Sequence, residues 1–264
     1  MKKIQATLIL FLLCSLCPAM AQTKDGLPLK LRAGIYNVGH FNQGKTGGYQ
    51  GADVQEEMER WRTWIGRQSM DIFFPVEWNS HFDRDSTVNA TEALLKPFFG
   101  HICFGEMHRY IYNGIAANFP LKNIRQVNLT HKEYYAIVGD MKVGRKTVTL
   151  MSVHIPWQKC CHESSVDALI EEMKKYEYLI CAGDMNAPDR NQRKFFDAGF
   201  NIANGGYEGW FCTAAKACEA GKPDSHIDNI ITSRNIKIMN VSAPHTGLTS
   251  EDHWPVLADI IITW

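Results

Sequence analysis

Tyr178–Pro188 reads YLICAGDMNAP. An apolar run from Tyr178 to Ala182 stops at Gly183 and delivers Asp184 and Asn186 with one residue between them, so in extended geometry both side chains leave the same face. A strand end with a carboxylate beside a carboxamide can hold a hard cation or a water and orient a phosphoryl oxygen. Both groups offer oxygen acceptors, and the amide also donates. An aspartate and an asparagine after a strand also make an ordinary turn. What separates the two readings is whether polar groups recur at other strand ends.

The chain has 264 residues, 45% apolar and 21% charged, enough for one large globular domain. No repeat, low-complexity tract or linker divides it; the loosest stretch is Asn37–Gly51. Residues 1–21 stand apart: Lys2 and Lys3, an apolar stretch from Ala6 to Cys17, then Ala19-Met20-Ala21. This is the pattern of a cleaved secretory signal, too short to span a bilayer. A lipoprotein site at Cys17 competes, but bulky Leu16 stands where a small residue is expected. The expectation is a secreted or periplasmic protein, mature from about Gln22, with residues 22–264 as its domain and no transmembrane segment.

Without Lys2 and Lys3 the 28 basic residues become 26 against 28 acidic ones, a net charge of −2. That is not the electrostatic footprint of a protein that lives on nucleic acid. Six cysteines follow the leader: Cys103, Cys160, Cys161, Cys181, Cys212 and Cys218. Export permits disulfides, and Cys212 and Cys218, flanking a short loop, are the expected pair. Cys181 lies inside the apolar run and reads as a small buried hydrophobe. Cys160-Cys161-His162 invites a zinc reading, but no second spaced pair completes four ligands.

Leu31–Tyr36 alternates Leu31, Ala33 and Ile35 against Arg32, Gly34 and Tyr36, a strand ending at Asn37. Asp53 and Glu56 make a capping-box start for a helix whose apolar face is Val54, Met58, Trp61 and Ile65. Asp71–Val76 is the next strand and ends at Glu77. Thr91–Phe99 reads as a short helix stopped by Pro97, and Ile102–Phe104 and Tyr110–Ala117 as strands. Tyr134–Val143 and Lys146–Ile155 form the clearest hairpin, turning at Gly144-Arg145. Ser164 or Ser165 is the expected cap of a helix carrying Val166, Leu169, Ile170 and Met173, and a further helix runs from Asp189 to Gly199 with Phe195 and Phe196 inward. Ile227–Thr232, Ile236–Val241 and Val256–Ile262 complete the strands. Hairpins mixed with strand-helix-strand units imply an α/β fold of two mixed sheets packed face to face, with helices outside.

Polar residues now recur at strand ends: Asn37, Glu77, Asn113, His154, Asp184 with Asn186, Asp228, and Asp252 with His253. Each alone has a structural explanation as a turn, cap or rim residue. Together they are hard oxygen donors with two imidazoles, the equipment of metal-assisted phosphate-ester hydrolysis.

The ordered stretches IYNVGHFN, FFPVEW, NGIAANFPL, MSVHIPW, GDMNAP, SHIDNIITS and EDHWPV resemble the endonuclease/exonuclease/phosphatase superfamily over nearly the whole chain after the leader. That resemblance implies a DNase I-like four-layered α/β sandwich and a phosphodiesterase or phosphatase. It implies Glu77 as the main metal carboxylate, with Asn37 beside it and Asp252 completing a site for Mg2+, or Mn2+ as a substitute. It gives Asp184 the attacking water, Asn186 the support of that group, and His253 the phosphoryl oxygens, with Asp228 fixing the imidazole. His154 is the second phosphate-side imidazole and Asn113 a substrate-binding position.

Departures from the family pattern touch substrate choice. Ala117-Asn118 stand where Ser-Arg is common, Pro75-Val76 where Leu-Gln is usual, and Glu251 where a serine often precedes Asp-His. The implied substrate is a phosphorylated small molecule, a lipid headgroup or a nucleic acid, acted on by a monomer without a stable nucleic-acid partner. A secreted nuclease or a sphingomyelinase-like enzyme is the alternative within the class, and a non-catalytic binding protein on the same fold the alternative outside it. Trp78, Trp157, Trp210 and Trp254 lie near the motif ends, as pocket walls or as packing.

Overall fold

The alternation of Leu31, Ala33 and Ile35 becomes strand β1 (Leu29–Asn37), and those three side chains enter the central core while Tyr36 packs on the opposite face. The structure, a computed structural model, describes residues 27–42, 47–108, 111–130, 134–214, 225–249 and 252–264. The expected leader therefore lies outside the described residues. Among the described residues no helix is long and apolar enough to cross a membrane.

After β1 come α1 (Val54–Gln68), β2 (Ile72–Val76), β3 (His101–Phe104), β4 (Gly114–Ala117), β5 (Leu121–Asn128), β6 (Tyr135–Val143) and β7 (Lys146–His154). Then follow α2 (His162–Met173), β8 (Leu179–Asp184), α3 (Asp189–Asp197), β9 (Asn201–Ile202), β10 (Asp228–Thr232), β11 (Ile236–Ser242) and β12 (Val256–Ile262). The described strands form two six-stranded sheets, ordered β11-β12-β1-β2-β4-β3 and β5-β6-β7-β8-β10-β9. Each is mixed: β1 runs parallel to β2 and β7 parallel to β8, while the other pairs are antiparallel.

The sheets pack through Ile35, Phe74, Ile115, Leu150, Ile180 and Ile230, all fully buried. Each such side chain contributes about 1.5–3 kcal/mol of transfer free energy. Outside the first sheet, α1 lays Trp61 and Trp64 against Tyr36, with ring centroids 5.5 and 5.2 Å apart. Outside the second, α2 and α3 cover Met151, Cys181 and Ile231 with Val166, Leu169 and Phe195. Helix, sheet, sheet, helix is the layered sandwich expected from the sequence.

Several local expectations change. Asp53 does precede α1, but its carboxylate accepts the Tyr49 hydroxyl rather than capping the helix. The cap of α2 is Cys161, so the helix starts before Ser164, and Ser165 is buried against Thr130, 2.6 Å between hydroxyls. Phe196 is exposed beneath Arg193 while Phe195 is buried, because neighbours on a helix point about 100° apart and cannot share a narrow buried face. Thr91–Leu95 is a π-helical turn, closed by Lys96 N–H on Thr91 O. Strand β5 carries Lys122, Asn123 and Arg125 on an edge with a bulge and shows too little apolar alternation to be read from sequence.

Candidate active site

The inward-facing residues continue past the apolar core. On β1 the set 29, 31, 33, 35 arrives at Asn37, and on β8 the set Tyr178, Ile180, Ala182 arrives at Asp184. Facing sheets thus bring two polar ends together, and Asn37 Nδ2 donates to Asp184 Oδ2 at 3.0 Å. Both residues are buried at 2% exposure. Gly39 N–H donates to Asn37 Oδ1 at 3.0 Å, which fixes the amide with its nitrogen toward the carboxylates.

In the second sheet His154 pairs in register with Asp184, and Asp184 with Asp228, so one row of the sheet carries all three. Gly183 allows that row, since a Cβ there would fall 2.0 Å from Val153 O. His154 Nε2 lies 3.6 Å from Asp184 Oδ2 and 3.9 Å from Glu77 Oε1. Asn186, in the left-handed region at φ 45°, directs Nδ2 at Ile155 O and His154 Nε2, 3.0 and 3.1 Å away, while its N–H donates to Asp184 Oδ1.

Glu77 breaks the alternation. Val76 faces the core, so straight continuation of β2 would carry Glu77 away from the site; a left-handed backbone at φ 52° swings it back to 3.4 Å from Asn37 Nδ2. A non-glycine residue held there costs about 1–3 kcal/mol, a cost found mainly where function fixes the geometry. Asp252 meets the same corner: a Cβ on Gly39, at φ +51°, would lie 2.9 Å from Asp252 Oδ1. Trp78 bridges antiparallel to Tyr112, so the register carries Asn113 toward the position opposite Glu77. Asn113 is buried, and its N–H lies 3.5 Å from the Tyr135 hydroxyl.

His253 Nδ1 bonds Asp228 Oδ2 at 2.8 Å, and its Nε2 is 3.8 Å from Asp184 Oδ2. Burial opposes a charged imidazole here, but Asp228, Asp184 and Asp252 overcome it and raise His253 to about 10. Burial pushes Asp228 up to about 6 against the pull of His253. The upward shift of His253, caused by the three carboxylates, favours an imidazolium held against Asp228. Asp184, Asp228 and His253 bring one donor atom each within 4.8 Å of one another, a spacing that suits a metal. His253 Nδ1 is already committed to Asp228 Oδ2, so Nε2 is the ring nitrogen that remains for a cation or a phosphoryl oxygen.

Three contributors were not singled out in the sequence. Thr213 Oγ1 accepts the N–H groups of Ile227 and Asp228 at 3.0 and 3.1 Å and sets the start of β10. His40 is buried beside Glu77 and Asp252, and burial lowers it below the ordinary histidine value against their pull. Glu57, fully buried on α1, accepts both the N–H and the hydroxyl of Thr249 at 2.8 Å, fastening the segment that leads to Asp252. Of the four tryptophans, Trp78 is core, bonded to Thr91 Oγ1 at 3.2 Å, and Trp210 stacks on His226. Trp254 meets His245 edge-on, and Trp157 stands 71% exposed three residues beyond His154. Cys212 is disulfide-bonded; Cys218 lies outside the described residues.

Two mixed sheets between helices, with these polar ends at one edge, are the DNase I-like fold of endonuclease/exonuclease/phosphatase proteins. An endonuclease/exonuclease/phosphatase family protein from Bacteroides thetaiotaomicron is similar at 16% identity and TM-score 0.67, over 90% of this chain and 96% of that one. The counterpart from Beutenbergia cavernae DSM 12333 gives 13% and 0.65, over 89% and 72%. D. rerio TDP2 complexed with single strand DNA product gives 13% and 0.59, over 88% and 98%. At such identities the likeness establishes the fold. No protein-family model and no curated protein matches the sequence.

Proposed function

We propose that this chain is an exported, metal-dependent phosphoester hydrolase. The observation that carries the reading is the position of Asp184, a buried carboxylate within 4 Å of the Asn37 amide and of both imidazoles, His154 and His253. Such a carboxylate orients a water and takes its proton. His253, held charged by Asp228, offers its Nε2–H to a developing phosphoryl oxygen, and His154 serves the same oxygens from the other side. Asn186 holds Asp184 and His154 in relation to each other, and Asn113 adds a polar group for the substrate.

Glu77, Asp252 and the second lone pair of Asn37 Oδ1 are hard oxygen donors, and the glycine at 39 leaves Asp252 room to approach. That donor set fits Mg2+, with Mn2+ as a substitute. The cation supplies Lewis-acid polarisation of the phosphoryl group. The DNA product in the TDP2 structure favours a nucleic-acid phosphodiester as a second reading of the substrate, against the phosphorylated small molecule or lipid headgroup that suits a net charge of −2. The test is a panel of bis-p-nitrophenyl phosphate, single-stranded DNA, sphingomyelin and sugar phosphates, run with Mg2+ and with EDTA. Metal-dependent turnover lost in His253→Ala supports the reading, and the preferred substrate assigns the class. Silence of the wild-type protein across the panel, with Mg2+ bound, points to a binding protein.

A further inference from the structure

Cys160 and Cys161 stand in the turn between His154 and α2, unpaired, with their Sγ atoms 3.1 Å apart. Cys160 is exposed and Cys161 is buried. The described remainder is accounted for: Cys103 and Cys181 are core residues and Cys212 is disulfide-bonded. The zinc reading of Cys160-Cys161-His162 gains no support among the described residues, where the His162 ring and the two sulfurs do not converge as three metal donors; His162 Nδ1 pairs with Pro156 O at 2.9 Å.

A disulfide at Cys212 belongs to an oxidising environment. There, an accessible thiol with a second sulfur in contact is set up for exchange. We infer that Cys160 and Cys161 form a reversible vicinal disulfide, a redox site whose partner is a small-molecule disulfide of the glutathione class. The thiolate of exposed Cys160 attacks one sulfur of that disulfide and releases a thiolate, leaving a mixed disulfide. Cys161 then attacks Cys160 Sγ and expels the second thiolate. Two protein thiols lose two electrons and two protons, and one small disulfide becomes two thiols.

Adjacent residues have Cα atoms about 3.8 Å apart, below the roughly 4.4–6.8 Å usual for cystines. The bond is therefore strained and more easily reduced than the one at Cys212. It also acts on the active-site rim. Cys161 and His162 donate their N–H groups to Gln158 O at 3.1 and 3.0 Å, so closing the ring reshapes the turn that carries exposed Trp157.

The test equilibrates the full chain in glutathione buffers of graded poise, quenches with acid, alkylates and maps the peptides. The wild-type 160–161 peptide is expected to lose both labels together and to become lighter by two hydrogen atoms, at a more oxidising poise than the Cys212 disulfide. Cys161→Ser is expected to retain glutathione on Cys160, trapping the first step. The inference is overturned by a wild-type protein that keeps both thiols alkylated in oxidised buffer, keeps glutathione on Cys160 as the variant does, or links two chains through Cys160.

Discussion

Asn37, at the end of β1, donates its amide to Asp184, at the end of β8, and this 3.0 Å bond joins the two sheets at the head of the central core. Two alternating runs of apolar residues end in complementary polar groups, so core packing itself positions the site. Asn37→Ala leaves the sheets packed and deprives a buried carboxylate of a donor. The expected loss is about 1.5–3 kcal/mol of stability and roughly 10²-fold in kcat/KM. Thermal melts and steady-state kinetics on the same preparation check it; wild-type kinetics would remove Asn37 from the site.

Glu57 is a carboxylate buried on a helix, holding Thr249 from the far end of the chain. Glu57→Ala strands the Thr249 N–H and loosens the approach to Asp252 and His253. The expected destabilisation is about 1–3 kcal/mol, with a fall in kcat larger than the change in KM. A variant as stable and as active as wild type would show that the fastening is idle.

Gly39→Ala forces a Cβ against Asp252 at a left-handed backbone position. The conformation alone costs about 1–2 kcal/mol. The Mg2+ concentration for half-maximal activity should rise by about 10-fold or more, as when a metal ligand loses its support. An unchanged Mg2+ titration would separate Asp252 from the metal site.

Burial pushes the Cys103 thiol up to about 11. Its folded pKa exceeds the unfolded value of about 8.5, so the linked stability is complete below that pH and is lost as pH rises through 11. Melting temperature should fall over this window in the wild type and fall less steeply in Cys103→Ala, whatever the variant's offset at pH 7. Parallel curves would contradict the assignment.

Much of the architecture was legible because one rule, alternation, governs both burial and direction. Leu31, Ala33 and Ile35 point to Asn37, and Tyr178, Ile180 and Ala182 to Asp184, without any structure in hand. Glu77 was found as a residue at a strand end, but its aim depends on a left-handed backbone that a glutamate does not advertise. Glu57 is hard to read because a charged residue on a helix ordinarily faces water, and its burial rests on Thr249, 192 positions away, together with Arg60 one turn on. Phe196 and the cap of α2 depart from the sequence pattern for local reasons: helix faces turn about 100° per residue, and a cysteine is not a preferred cap. The edge strand β5, bulged and rich in polar residues, carries no period to read.

The role of Asp184 is tested by comparing wild type with Asp184→Asn on bis-p-nitrophenyl phosphate under saturating Mg2+. The exchange keeps the shape and removes the charge that takes the proton. Turnover in the wild type should be abolished by EDTA, and Asp184→Asn should show a fall of about 10³-fold in kcat with no loss of melting temperature. A variant that retains wild-type kcat would contradict that role.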